Sequence, residues 1–208
     1  QGHVAVIPQF GVDPQIYSPG EVGGERARNE TRGGFVLEGD TLDGRGDGRG
    51  DRPFRVGYVG RLVPEKGILV LLDAVAGLKG DWRLIVLGDG PLRPAIEQTC
   101  RERGLDGKLQ LYPAVLSADV PGFLRNLDVL VLPSLTTRGW MEQFGRVLVE
   151  AMACGVAVVG SDSGEIPKVI GDAGLIAKEG DAVDLRHQIQ TLLDSPVERQ
   201  ALARRGRT

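Results

Sequence analysis

From Phe54 onward, short apolar runs of strand length alternate with segments whose apolar residues recur at helical spacing. This alternation constrains the fold more than any other feature of the chain. The runs cover residues 55–59, 83–87, 108–111, 129–132 and 156–160, with a weaker one at 174–177. Helical spacing occupies 68–78, 92–103, 120–126, 144–153 and 166–170, continues through 184–193, and predicts a last short helix near 197–204. Strands that are apolar along their whole length are buried on both faces, as in a parallel sheet covered by helices. Right-handed crossovers then give an α/β, doubly wound, Rossmann-like domain. Such folds bind ligands outside the carboxyl ends of their strands. Chemistry is therefore expected in the loops after Val59, Leu87, Leu111, Leu132 and Gly160.

The chain ahead of Phe54 has a different texture. Residues 4–8 predict a short buried strand, left through a turn at 10–14. Residues 21–52 are rich in glycine and charge with almost no apolar periodicity. A segment of that kind cannot bury enough surface to offset its ordering entropy, so it reads as a flexible linker or insertion. The 208 residues lack an initiator methionine, and the chain reads as a fragment.

Composition removes several classes of function. A net charge of −3 and only 5% aromatic residues supply neither a general pull on nucleic acid nor a stacking surface for bases. Cys100 and Cys154 form no metal-ligand spacing and no disulfide framework, so a reducing cytoplasm is the expected setting. No run of 18 apolar residues is present to span a bilayer.

Two segments at the expected functional edge carry chemistry. After the first strand, Gly60-Arg61-Leu62-Val63-Pro64-Glu65-Lys66-Gly67 holds two cations five residues apart and is expected to open directly into a helix. Cations beside a helix N-terminus suit a phosphate. Two solvated surface cations fit these residues equally well; position at the strand end favours the phosphate. After the fourth strand, Glu142 lies just before a helix and Glu150 about two turns inside it, among Val147, Leu148, Val149, Ala151 and Met152. An unpaired carboxylate there is costly, and the hydroxyls of a ribose would satisfy it. For an arbitrary helix, two surface glutamates would be the better reading.

Other signals are weaker. Gly88-Asp89-Gly90-Pro91-Leu92-Arg93 begins like a dinucleotide fingerprint but has Arg93 in place of the third glycine, so it reads as a turn starting a helix at Pro91. The two Arg-Gly-Asp triplets at 45–47 and 49–51 are products of composition, and His3 and His187 lack ligand partners.

Taken together, Gly60-Arg61, Glu65-Lys66-Gly67, Glu142, Phe144-Gly145, Glu150-Ala151, Gly155 and the Gly164-Glu165-Ile166-Pro167 turn resemble retaining glycosyltransferase family four, the glycosyl transferases of group 1. The resemblance covers about residues 55–208. It implies the C-terminal, donor-binding half of a GT-B enzyme, in which two Rossmann-like domains face each other across a cleft. Residues 1–20 would then be the end of the N-terminal domain and the joining segment, 21–52 the linker, and 53–208 the nucleotide-sugar-binding domain, cut short at its C-terminus.

By the same resemblance, Arg61 and Lys66 hold the donor diphosphate and stabilise it as a leaving group, Gly60 is a donor-binding position, and Glu142 contacts the transferred sugar. The backbone of Phe144, Gly145 and Arg146 approaches sugar and phosphates, Glu150 binds the ribose, and Val115 lies where backbone meets the base. Ala114 stands where a glycine is usual and Lys168 where an acidic residue is usual. The implied reaction transfers a hexosyl-type sugar with retention to an acceptor hydroxyl on a glycan or lipid-linked acceptor, as in polysaccharide biosynthesis. It needs no cofactor and no metal. The missing acceptor domain leaves this half inactive alone, and through that domain the enzyme would sit peripherally at the inner face of the membrane. The alternatives are a related GT-B synthase or phosphorylase, or a non-catalytic nucleotide-binding module.

Overall fold

In a computed structural model, residues 12–13, 16–19 and 52–207 are described. The expected strand at 4–8 and nearly all of the expected linker at 21–52 lie outside the described residues.

The apolar runs become β1 (Phe54–Val59), β2 (Trp82–Leu87), β3 (Leu109–Tyr112), β4 (Val129–Leu132), β5 (Ala157–Ser161) and β6 (Leu175–Ala177). They form one six-stranded sheet in the order β3-β2-β1-β4-β5-β6, and every neighbouring pair is parallel. The expected doubly wound, Rossmann-like α/β fold is what the chain adopts. Between the strands run α1 (Ile68–Val75), α2 (Arg93–Glu102), α3 (Val120–Leu124), α4 (Arg146–Ala153) and α5 (Ile166–Ile170), and after β6 come α6 (Ala182–Asp194) and α7 (Pro196–Arg205).

Successive strand residues point to opposite faces, so each apolar strand feeds two cores. On one face Val56, Tyr58, Leu84, Val86, Val129, Val131 and Val159 pack with α1, α6 and Ile96 of α2. On the other, Ile85, Leu87, Leu130, Leu132 and Val158 pack with Phe123 of α3, Leu148 of α4 and Ile166 of α5. Each fully buried Leu or Ile contributes roughly 1.5–3 kcal/mol relative to exposure. This double coverage is why β4 and β5 read as near-continuous runs of apolar and small residues, whereas the edge strand β3 carries Gln110 between Leu109 and Leu111.

The strand order reverses between β1 and β4, which are hydrogen-bonded neighbours although two strands separate them in sequence. Helices leaving these two strands go to opposite faces, which opens a crevice above their carboxyl ends. The loops after Val59 and Leu132 border that crevice, and they are the two loops that carry the sequence motifs.

Candidate active site at the switch point

The loop after β1 is anchored from below. Buried Tyr58 donates its hydroxyl to the Arg61 carbonyl at 2.7 Å, and Leu62 plugs into the core. Burial, reinforced by the nearby Glu142 charge, pushes the Tyr58 phenol far above its ordinary pKa, so it serves as a fixed donor. The Arg61 guanidinium itself stands 64% exposed and pairs with Glu65 at 3.6 Å.

α1 begins at Ile68, directly after Gly67, as the spacing predicts. Pro64–Lys66 form a single 3-10 turn, and Gly67, at φ 68°, breaks the path before α1 begins. Any side chain at Gly67 would place its Cβ 1.8 Å from the Pro133 carbonyl oxygen, so only glycine lets the β1 and β4 loops touch here. Across the same junction the Leu135 amide donates to the Glu65 carbonyl at 2.8 Å. From this anchored loop Lys66 reaches across the crevice.

Across the crevice Lys66 meets Glu142. Its ammonium lies 2.6 Å from Glu142 Oε2 and 4.7 Å from the centre of the Trp140 ring. The buried Ser134 hydroxyl donates to the same carboxylate oxygen at 2.9 Å. Ser134 is itself held by Ser161, whose hydroxyl donates to its carbonyl at 2.6 Å. Trp140 is presented by a short bridge with Thr137, and Thr136 donates its hydroxyl to Glu179 at 2.9 Å. The Glu142 carbonyl accepts from the Glu165 amide at 3.0 Å, with Gly164 packed too closely for a side chain. A polar loop is thus tied down at both ends around one carboxylate that is 8% exposed.

The following helix begins at Arg146, two residues later than its spacing predicts, because Gly145 adopts φ 67° and caps it. No side chain caps this N-terminus, and Phe144 just before it is half-buried. Glu150, the fifth residue of α4, lies little more than one turn inside and is buried, as the apolar surroundings predict. The protein supplies two donors for it. Arg146 Nε lies 2.8 Å from Oε1, and the Tyr17 hydroxyl donates to the same oxygen at 3.2 Å. Burial and then the Glu150 charge raise the Tyr17 pKa.

At the far side of the crevice the Ala114 amide donates to Asp89 at 2.7 Å, which fixes the loop after β3 beside half-buried Val115. The helix expected from Pro91 starts instead at Arg93. Lys168 lies on α5, exposed and paired with Glu165 at 2.8 Å.

Of the two cations and two carboxylates singled out by sequence, Lys66 and Glu142 are in direct contact, whereas Arg61 and Glu150 take the partners named above. Sequence reasoning did not single out Trp140, Ser134, Ser161 or Tyr17. The one signal for Trp140 was an aromatic residue in an otherwise polar loop at the functional edge. Among the described residues no cluster of three or more His, Cys, Asp or Glu could hold a metal.

The fold is a doubly wound, Rossmann-like domain with cations and one buried carboxylate, Glu142, on the two loops at its switch point. Comparison with known proteins narrows the class. The chain belongs to the family Glycosyl transferases group 1, whose profile matches residues 45–208. It is 32% identical over 157 residues to the 2-deoxystreptamine glucosyltransferase of Streptomyces kanamyceticus, a match covering 73% of this chain and 39% of the relative. The structure of Anabaena HepE in complex with UDP and glucose aligns with TM-score 0.69 and 26% identity, over 75% of this chain and 43% of that one. Sucrose-phosphate synthase from Thermosynechococcus elongatus aligns with TM-score 0.72 and 27% identity, over 95% of this chain and 45% of its own. The chain thus spans about two-fifths of the length of these proteins. No helix among the described residues is long and apolar enough to cross a membrane.

Proposed function

We propose that this domain binds a nucleotide-diphosphate sugar and, joined to an acceptor-binding half, transfers the sugar to an acceptor hydroxyl with retention of configuration, as in family four. The observation that carries this reading is the contact at 2.6 Å between Lys66 and Glu142, contributed by the two loops that flank the switch point. Breaking the bond between the anomeric carbon and the β-phosphate oxygen leaves a diphosphate with added negative charge. Arg61 and Lys66 take up that charge; preorganised donors of this kind are worth about 10²–10³ in rate each. Glu142 accepts hydrogen bonds from the sugar, the backbone of Phe144, Gly145 and Arg146 approaches the phosphates, Glu150 receives the ribose, and Gly60 and Val115 border the nucleotide. The leaving diphosphate takes the acceptor proton, and no metal or cofactor is needed. This domain alone is inactive on this reading, because the acceptor site belongs to the other half, which also carries any peripheral attachment to the inner face of the membrane.

The UDP and glucose bound by HepE, a relative by fold and sequence, support a nucleotide-sugar donor. Calorimetry tests the assignment. Lys66→Ala is expected to weaken UDP or GDP at least about tenfold while leaving the nucleoside unaffected. Equal losses for nucleoside and nucleoside diphosphate would overturn it. The anomeric configuration of the full enzyme's product, read by NMR, tests retention.

A second reading, a synthase that glycosylates a sugar phosphate, is favoured by the alignment of 95% of the chain with sucrose-phosphate synthase. Nucleotide release by the full enzyme, with phosphorylated and unphosphorylated acceptors compared, separates the two.

A further inference from the structure

We infer that Tyr17 is a positioning residue for Glu150, supplied from a segment that precedes the Rossmann-like domain, and that it fixes the orientation in which the carboxylate is presented to the nucleotide ribose. The inference rests on the reading of Glu150 as the ribose contact.

The segment carrying Tyr17 is docked by specific bonds. The Asp13 carbonyl accepts from the amides of Ile16 and Tyr17 at 3.1 and 2.8 Å, forming a turn. Arg125, from the end of α3, then clamps the turn: its Nε donates to the Ser18 carbonyl at 2.6 Å and its Nη2 to the Ile16 carbonyl at 2.7 Å. The Tyr17 ring is 6% exposed and packs in the same core as Ala151, Met152 and Cys154. Ring position is thus set independently of the hydroxyl, which is free to act as a directed donor.

That hydroxyl has one proton to give, and it goes to Glu150 Oε1. Arg146 donates to the same oxygen. Among the described residues Glu150 Oε2 takes no hydrogen bond, so the carboxylate has one oxygen doubly held and one open. The terminal torsion of glutamate is broad, so without a pin the carboxylate plane would swing. The Arg146 side chain is 61% exposed, and solvent screens its hold. The buried phenol is the more durable of the two donors. It leaves Oε2 as the acceptor for a ribose hydroxyl, and it makes ribose recognition depend on a residue outside the sheet-and-helix domain.

The test measures ribose discrimination: affinity for UDP relative to 2′-deoxy-UDP, with GDP and 2′-deoxy-GDP as the parallel pair, by calorimetry on the chain as it stands. Wild type is expected to favour the ribonucleotide, and Glu150→Gln to lose most of that preference. Tyr17→Phe keeps the ring and is expected to reduce the preference about threefold to tenfold, the worth of one hydrogen bond, with the deoxynucleotide bound as before. A merely structural role would weaken both nucleotides equally. If Tyr17→Phe does not give a cooperatively melting protein, Arg125→Met decides instead: it loosens the turn without touching Glu150 and lowers the same ratio. A wild-type preference that is lost in Glu150→Gln but survives Tyr17→Phe and Arg125→Met overturns the inference alone. Equal binding of both nucleotides by wild type, or binding of none, overturns the ribose reading and this inference with it.

Discussion

Replacing Glu142 by glutamine keeps the side chain's shape and removes its charge. Lys66 then loses its only carboxylate within 4 Å among the described residues, and the Ser134 hydroxyl donates to an amide oxygen. With charges about 3 Å apart and an effective dielectric near 20, the gross attraction is roughly 5 kcal/mol. Desolvation of both groups cancels much of it. Pairs exposed to water are worth about 0–1 kcal/mol, while stranding a charge in a buried pair costs about 3–5 kcal/mol. The Lys66 and Glu142 side chains are 18% and 10% exposed, which places the pair between those limits. A loss of about 2 kcal/mol follows, or a fall in Tm of roughly 4–8 °C for a domain of this size. Ligand binding moves differently. The freed ammonium is available to phosphate, so affinity for bare UDP or GDP is expected to hold or rise a few-fold while affinity for the sugar nucleotide falls. Differential scanning calorimetry and titration calorimetry read the two effects on the same sample. A Tm within 1 °C of wild type would refute the energetic reasoning, and parallel losses for nucleotide and sugar nucleotide would refute the division of labour between Lys66 and Glu142.

Gly67→Ala combines left-handed backbone strain, worth about 1–2 kcal/mol, with a Cβ that collides with the Pro133 carbonyl. A loss above about 2 kcal/mol is expected in urea denaturation, together with weakened UDP binding as the β1 and β4 loops separate. Trp140→Ala removes the ring over Lys66, a contact worth about 0.5–2 kcal/mol, and is expected to weaken sugar-nucleotide binding several-fold by calorimetry. Asp184 has a pKa below its ordinary 3.8, chiefly because it accepts the Lys178 amide and then because of Gln188. A carboxylate with a depressed folded-state pKa contributes stability above its unfolded pKa and loses it as pH falls through the folded value. Asp184→Asn is therefore expected to flatten the acid limb of the stability curve below about pH 4, measured by circular dichroism.

The sheet was legible because burial on both faces writes itself into composition. Val129–Leu132 has no polar position and Ala157–Ser161 has one only at its last residue, and their boundaries shift by at most one residue. The start of α4 was less legible. Phe144 suits a helix by propensity, and only the left-handed Gly145 tells the chain to wait. Entry into α1 at Ile68 was legible, but the 3-10 turn at Pro64–Lys66 ahead of it was not: Gly67 lets that loop rest on Pro133, a contact 66 residues away in sequence. Sequence identified the charged residues at the edge but not their partners. The bond between Tyr17 and Glu150 spans 133 residues and that between Lys66 and Glu142 spans 76, and no local pattern encodes either.

The partners matter because they decide what an arriving diphosphate has to displace. A cation held only by water would be free to meet phosphate, but Lys66 is already bound to Glu142, with Trp140 over it. A nucleotide alone has to compete with that carboxylate for the ammonium. A nucleotide sugar, under the proposed function, brings hydroxyls that satisfy Glu142 as Lys66 turns to the phosphate, so both halves of the pair find new partners at once. Neighbouring loops on strands that adjoin only at the reversal of sheet order make such an exchange possible: each charge rests on its own anchored loop, and neither backbone has to move for the side chains to part. On this reasoning the pair discriminates in favour of the complete donor, because its cost is offset in full only when sugar and diphosphate arrive together.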